Sequence, residues 1–116
     1  MAGELAITGR FYYAKDGAVI DRNSGATAID ISGTEIKSGV AAVATSNTTI
    51  TIPAAPGYVW LKNLDSTNYI QVAPDTTNYF IKLKAGQWAI FPINGTAMIA
   101  KANTATCNLE YIVVSL

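Results

Sequence analysis

From Gly57 to Phe91, in the stretch GYVWLKNLDSTNYIQVAPDTTNYFIKLKAGQWAIF, apolar and polar positions alternate, and only short polar turns interrupt them. A period of two puts successive side chains on opposite faces of a strand. It sets Val59 and Leu61 on one face, Trp60 and Lys62 on the other, and turns Ile70 and Val72 inward from the next strand. LDSTN (64–68) and PDTTN (74–78) are rich in residues that hydrogen-bond their own backbone, so they read as turns. Asn94-Gly95 is the strongest short hairpin signal in the chain. The strand-like segments TAMIAKA and CNLEYIVVSL follow it.

The N-terminal half follows the same rule. LAITGRFYYAK (5–15) predicts a strand, with Gly9 marking a bulge or a close backbone approach. Asp16-Gly17 predicts a tight turn with positive φ at both residues, and AVID returns from it. RNSG (22–25) reads as another turn, and ATAIDIS as a third strand with Ile29 and Ile31 on one face. VAAVAT (40–45) and TTITI (48–52) add strands, the second with Ile50 and Ile52 inward. PAAPG (53–57) breaks the ladder twice, because proline has no N–H to donate, and marks a boundary between two halves of the sheet system.

No window repeats at 3.6 residues, and the segments amount to about nine or ten short strands at sandwich-like spacing. The expectation is an all-β fold: an antiparallel β-sandwich, jelly-roll-like, forming a single domain over residues 1–116.

Composition narrows the function. Only 14% of the residues are charged, against about 25% in an average soluble domain, which suits a protein that hides much of its surface against something. Net charge is zero and the cations are interleaved with acids or spread out, so no basic stripe exists to neutralise phosphates and no nucleic-acid partner is expected. No apolar run approaches a membrane span, and MAGELAITGR lacks the basic and apolar parts of a secretory signal.

Histidine is absent, which removes the commonest general base and every Ser–His–Asp or Cys–His arrangement. The single cysteine, Cys107, can neither close an internal disulfide nor build a zinc site, and reads as a core residue. No phosphate-binding glycine loop or alternating-carboxylate calcium loop occurs. Asp16, Asp65 and Asp75 fall in predicted turns, where aspartate caps backbone N–H groups. The expectation is a protein that is not an enzyme, with no catalytic residue, cofactor or metal.

What remains is surface. Tyr58, Trp60, Tyr69, Tyr79, Phe80, Trp88 and Phe91 would serve packing and subunit contact, or else a carbohydrate platform. Trp60 and Trp88 lie opposite the aliphatic faces of their strands and are interface candidates. ELAITGRFYYA is apolar up to the terminus, where free ends usually fray. Leu5, Ile7, Phe11 and Tyr12 are therefore further interface candidates, on an arm or edge strand over residues 1–15 that pairs with a neighbouring subunit or another partner. Lys62, Lys82 and Lys84 read as guards against uncontrolled edge pairing.

The segment YVWLKNLDSTNYIQVAPD…FIKLKAGQWAIFPINGTAMIAKANTATCNLEYIVVSL resembles a recurring pattern in small structural proteins of tailed-bacteriophage virions. The matching residues are Leu61 to Asp65, Asn68 and Tyr69, then Leu83 to Gly86, then Ala100 to Thr106 and Leu109 to Tyr111. AIDISGTEIKSGVAAVATSNTTITIP is similar to the first half of such proteins. Two departures stand out: Gln87 replaces the glutamate of the family's LkaGe turn, and no fibre or host-binding domain is visible.

The resemblance implies a virion structural protein made in the bacterial host cytoplasm. Its first expectation is a capsid decoration (cement) protein on the capsid surface, a symmetric homo-oligomer with a trimer favoured, whose partner is the major capsid protein or another virion protein. The alternative is a tail, neck or baseplate component. From a different class, a small carbohydrate-binding module is also weighed.

Overall fold

The computed structural model describes residues 3–115; Met1, Ala2 and Leu116 lie outside the described residues, including the first two positions of the expected arm. The chain divides into two compact units, residues 1–32 and residues 33–116. The sandwich lies within the second, and the expected arm at residues 1–15 is one half of a two-stranded first unit.

In the first unit β1 (Leu5–Lys15) pairs antiparallel with β2 (Ala18–Ile29). Asp16 and Gly17 join them with φ of 51° and 83°, the doubly positive turn that the Asp-Gly pair predicts. RNSG is not a turn between strands. It lies inside β2 as a bulge, because Thr8 faces Ala26 while Arg10 faces Asn23, so β2 spends one extra residue opposite Gly9. The Gly9 N–H donates to Ser24 Oγ at 2.9 Å, the Gly25 N–H to Asn23 Oδ1 at 2.9 Å, and Gly25 takes up the turn at φ 64°.

The second unit contains β3 (Ile36–Val43), β4 (Thr48–Thr49), β5 (Pro56–Asn63), β6 (Ile70–Ala73), β7 (Ile81–Leu83), β8 (Trp88–Pro92), β9 (Ile99–Ala102) and β10 (Cys107–Ser115). Its antiparallel pairs are nested: β6 with β7, β5 with β8, β4 with β9, and β3 with β10. The second unit is thus one long hairpin whose tip is the 74–80 loop. Rolling it up adds the pairs β10–β5 and β6–β9 and gives two four-stranded sheets, β3-β10-β5-β8 and β4-β9-β6-β7. This is the jelly-roll form of the antiparallel β-sandwich.

Rolling explains a misreading of Asn94-Gly95. These residues do not close a hairpin, because β8 and β9 belong to different sheets, and the turn carries the chain across the sandwich. PAAPG does the same between β4 and β5. TTITI is a ladder strand only at Thr48–Thr49, although Ile50 is buried and its N–H reaches Met98 O at 2.9 Å.

Both sheets fill the core. Val59 and Leu61 of β5, and Leu109 and Val113 of β10, meet Ile70 and Val72 of β6, Leu83 of β7, and Ala100 and Ala102 of β9. Each fully buried aliphatic side chain stabilises the fold by about 1.5–3 kcal/mol. Cys107 sits among them, where burial pushes its thiol pKa up.

The residues that carry the sequence resemblance are architectural. Asn63 is fully buried, and its amide donates to Asn68 O and Leu83 O, both at 2.9 Å, while its Oδ1 accepts the Asp65 N–H at 2.9 Å. The two turns around β6 are copies of one device, Asp-Ser/Thr-Thr-Asn-Tyr. Asp65 Oδ2 accepts the N–H groups of Thr67 and Asn68, and Asp75 Oδ1 accepts those of Thr77 and Asn78. In the LKAGQ turn Gly86 has φ 76°, and Gln87 Oε1 accepts the Lys84 N–H at 2.9 Å. A neutral amide oxygen is sufficient at that position.

Candidate interaction surfaces

Even-numbered residues of β3, β5, β8 and β10 point away from the core, and cross-strand register sorts them into rows. Val40, Glu110, Lys62 and Trp88 form one row; Ser38, Ile112, Trp60 and Ile90 the next; Ile36, Val114, Tyr58 and Pro92 the third. Most of these side chains are apolar, so the sheet is apolar on both faces. Ile36, Val40 and Trp88 are 63%, 57% and 52% exposed. Single exposed apolar residues are ordinary, but a contiguous field of them marks a surface that something covers.

Two aromatic candidates are fixed there. The rings of Trp60 and Trp88 stack with centroids 5.4 Å apart and an interplanar angle of 22°. Trp60 Nε1 donates to Glu110 Oε1 at 2.8 Å, across the β5–β10 pair. The facing sides of the two rings are spent on each other, so Trp60 and Trp88 do not form the side-by-side coplanar pair that a pyranose stacks on.

In the first unit Leu5, Ile7, Phe11 and Tyr13 follow one another on one face of β1, and cross-strand pairing brings Ile29 to Leu5 and Ile20 to Tyr13. Tyr12 lies on the other face, opposite Asp21, under the Arg10 guanidinium at 5.1 Å. Arg10 grips Asp21 through two contacts of 2.9 Å, which holds the carboxyl pKa below its usual value. The six interface candidates therefore fall in three places: Leu5, Ile7 and Phe11 on the apolar face of the hairpin, Tyr12 on its polar face, and Trp60 and Trp88 on the outer sheet.

Lys62 is no edge guard, because β5 is an inner strand; Lys82 does lie on the edge strand β7, with its ammonium 4.2 Å from the Tyr69 ring centroid. Sequence reasoning missed Ile36, Val40 and Ile112. The signal was the unbroken apolar run YIVV (111–114), since a strand buried on one face only should alternate.

Beside the 74–80 loop lies an apolar cavity of about 210 Å³, lined by Val72, Phe80, Ile81, Phe91, Ile93 and Met98 among others, with Phe80 itself 93% exposed. Among the described residues no three His, Cys, Asp or Glu side chains gather into a metal-binding group. The carboxylates have local work: Glu4, Asp30 and Glu35 accept backbone N–H groups, as Asp65 and Asp75 do.

The class that fold and surface define is a jelly-roll sandwich carrying a separate β-hairpin and a solvent-facing apolar sheet. Comparison with known proteins finds no family model, no curated protein and no solved structure that matches the chain.

Proposed function

We propose that the chain is a non-enzymatic structural protein of a tailed-bacteriophage virion, foremost a capsid decoration (cement) protein that binds the assembled shell as a symmetric homo-oligomer. The observation that carries this reading is the outer face of β3-β10-β5-β8, an apolar field on a chain with few charges. The resemblance of its turn motifs to virion proteins supplies the setting, and the jelly roll is a fold that viral capsid domains share with lectins and cupins, an analogy of architecture only.

Decoration works by linkage. A protein that binds only the assembled shell stabilises it by mass action, and an oligomer sums modest contacts into avidity. A tail, neck or baseplate component would use the same surfaces, so copy number separates the two. The test is quantitative mass spectrometry of purified virions against the major capsid protein. A simple fixed ratio to the capsid subunit is the expected result. A few copies per particle moves the protein to the neck or tail, and its absence from virions overturns the reading.

A further inference from the structure

The hairpin has an apolar face and no core of its own. Leu5, Ile7, Phe11, Tyr13, Ile20 and Ile29 line one side of it, and Phe11 and Ile20 are 66% and 50% exposed. The bulge makes this face continuous. Were the odd residue at Ser24–Gly25 paired instead of bulged, strict alternation from Ile20 would put Ile29 on the opposite side. The other side carries the Arg10–Asp21 pair, Tyr12, Val19 and the alanines Ala6, Ala14, Ala26 and Ala28. An isolated two-stranded hairpin is marginal in water, and three strands or a packed face are needed for it to persist.

The same chain carries the complementary surface. The outer sheet is likewise apolar, and sheet faces pack on one another through such rows of side chains. The sizes agree: β1 spans about 37 Å, β10 about 30 Å, and four strands are about 14 Å across. The arm face carries Arg22 and Lys15 and no acid, while the outer sheet presents Glu110 and Lys62 side by side in one row, so the sheet's charges balance and its apolar rows carry the contact.

The connection limits where the arm can go. The Ile31 N–H is held by Glu4 Oε1, and Glu35 is tied to the sandwich through both its N–H to Ser115 Oγ and its carbonyl to the Ser115 N–H. Residues 32–34 alone lie between these ties, a tether that spans at most about 14 Å. A hinge this short favours exchange between copies over a search of the chain's own surface.

We infer that the hairpin arm of one copy packs its Phe11–Ile20 face on the outer face of β3-β10-β5-β8 of a second copy, head to tail. Each copy gives an arm and receives one, so the contact is heterologous and propagates until rotation closes a ring. The inference concerns self-association and stands apart from the virion assignment. A ring could form whatever the copy number in virions proves to be.

The test uses the full chain and two double variants, Phe11→Asp with Ile20→Asp on the arm, and Val40→Asp with Ile112→Asp on the sheet. Sedimentation velocity reads association, and circular dichroism checks that the sandwich stays folded. The wild type is expected to associate in a concentration-dependent way, and each double variant to associate at least about 30-fold more weakly, the scale of a lost hot spot.

The decisive step is mixing. Each variant keeps the surface the other has lost, so an equimolar mixture should form a 1:1 heterodimer and stop there. Should the sheet variant fail to fold, Trp88→Glu, on the edge strand, replaces it. A monomeric wild type, a double variant that still dimerises with itself, or a mixture that stays monomeric overturns the inference.

Discussion

Trp60 donates its indole N–H to Glu110 at 2.8 Å while its ring stacks on Trp88, so the largest side chains of the outer sheet are held in place before any partner arrives. Three strands contribute, β5 through Trp60, β8 through Trp88 and β10 through Glu110. Rings fixed in this way lose little rotamer freedom when covered, which lowers the cost of burying them.

Removing the acceptor should loosen this arrangement. Glu110→Ala leaves a half-buried indole N–H unpaired and should destabilise the sandwich by about 1–2 kcal/mol. Tryptophan emission should shift as Trp60 gains mobility. Glu110→Gln keeps an acceptor oxygen and should restore most of both. Thermal unfolding and steady-state fluorescence of the two variants check this. Equal losses in both would mean that charge matters here, not the hydrogen bond.

Asn63 is the polar pin of the core. Three partners converge on its side chain, and a leucine of similar volume would leave Leu83 O, Asn68 O and the Asp65 N–H without that bond. Orphaned buried groups cost about 1–3 kcal/mol each, so Asn63→Leu should destabilise by roughly 3–5 kcal/mol. Urea unfolding measures it. A loss below 1 kcal/mol would mean that water or a shifted turn replaces the amide.

The paired turns predict an acid-labile region. Backbone N–H groups, first that of Thr77, hold the Asp75 pKa down from 3.8 to about 2, and the N–H groups of Asn68 and Thr67 lower that of Asp65. A carboxylate depressed in the folded state adds stability that is complete above the unfolded pKa and disappears as pH falls through the folded one. The melting temperature should therefore hold level down to about pH 5 and drop between pH 4 and pH 2. Asp75→Asn keeps an acceptor oxygen but cannot titrate, so its drop should be smaller. An identical pH profile in the variant would exclude Asp75 as a source of the effect.

Alternation alone made the core of the sandwich legible. Val59, Leu61, Ile70 and Val72 point inward as period two requires, and the Asp16-Gly17 turn takes the conformation its residues demand. Topology was less legible at Asn94-Gly95, where local chemistry specifies a turn without specifying that the flanking strands pair. In a rolled hairpin most connections cross between sheets. The outer sheet was missed for another reason. Ile36, Val40 and Ile112 look like core residues in sequence, because exposure depends on which face a second layer covers. The sequence carries one such layer within the sandwich and marks another only by the unbroken apolar run YIVV (111–114).

The bulge in β2 is the last feature with a separable consequence. Gly9 donates to Ser24 Oγ, and the bulge absorbs the one residue by which β2 exceeds β1, so that Ile29 stays beside Leu5. Deleting Ser24 removes that residue without changing any partner, because Gly25 then faces Gly9 and Ile29 still faces Leu5, so a regular ladder should keep the apolar face whole. The sandwich lies in the other unit and should melt unchanged. Self-association should stay within about threefold of the wild type, short of the roughly tenfold that a loss of about 1.4 kcal/mol at the contact would give. Sedimentation with parallel thermal unfolding reads both quantities. If the deletion variant associates about tenfold or more weakly, the contact needs the bend that the bulge gives β2 and not only the apolar side chains it aligns.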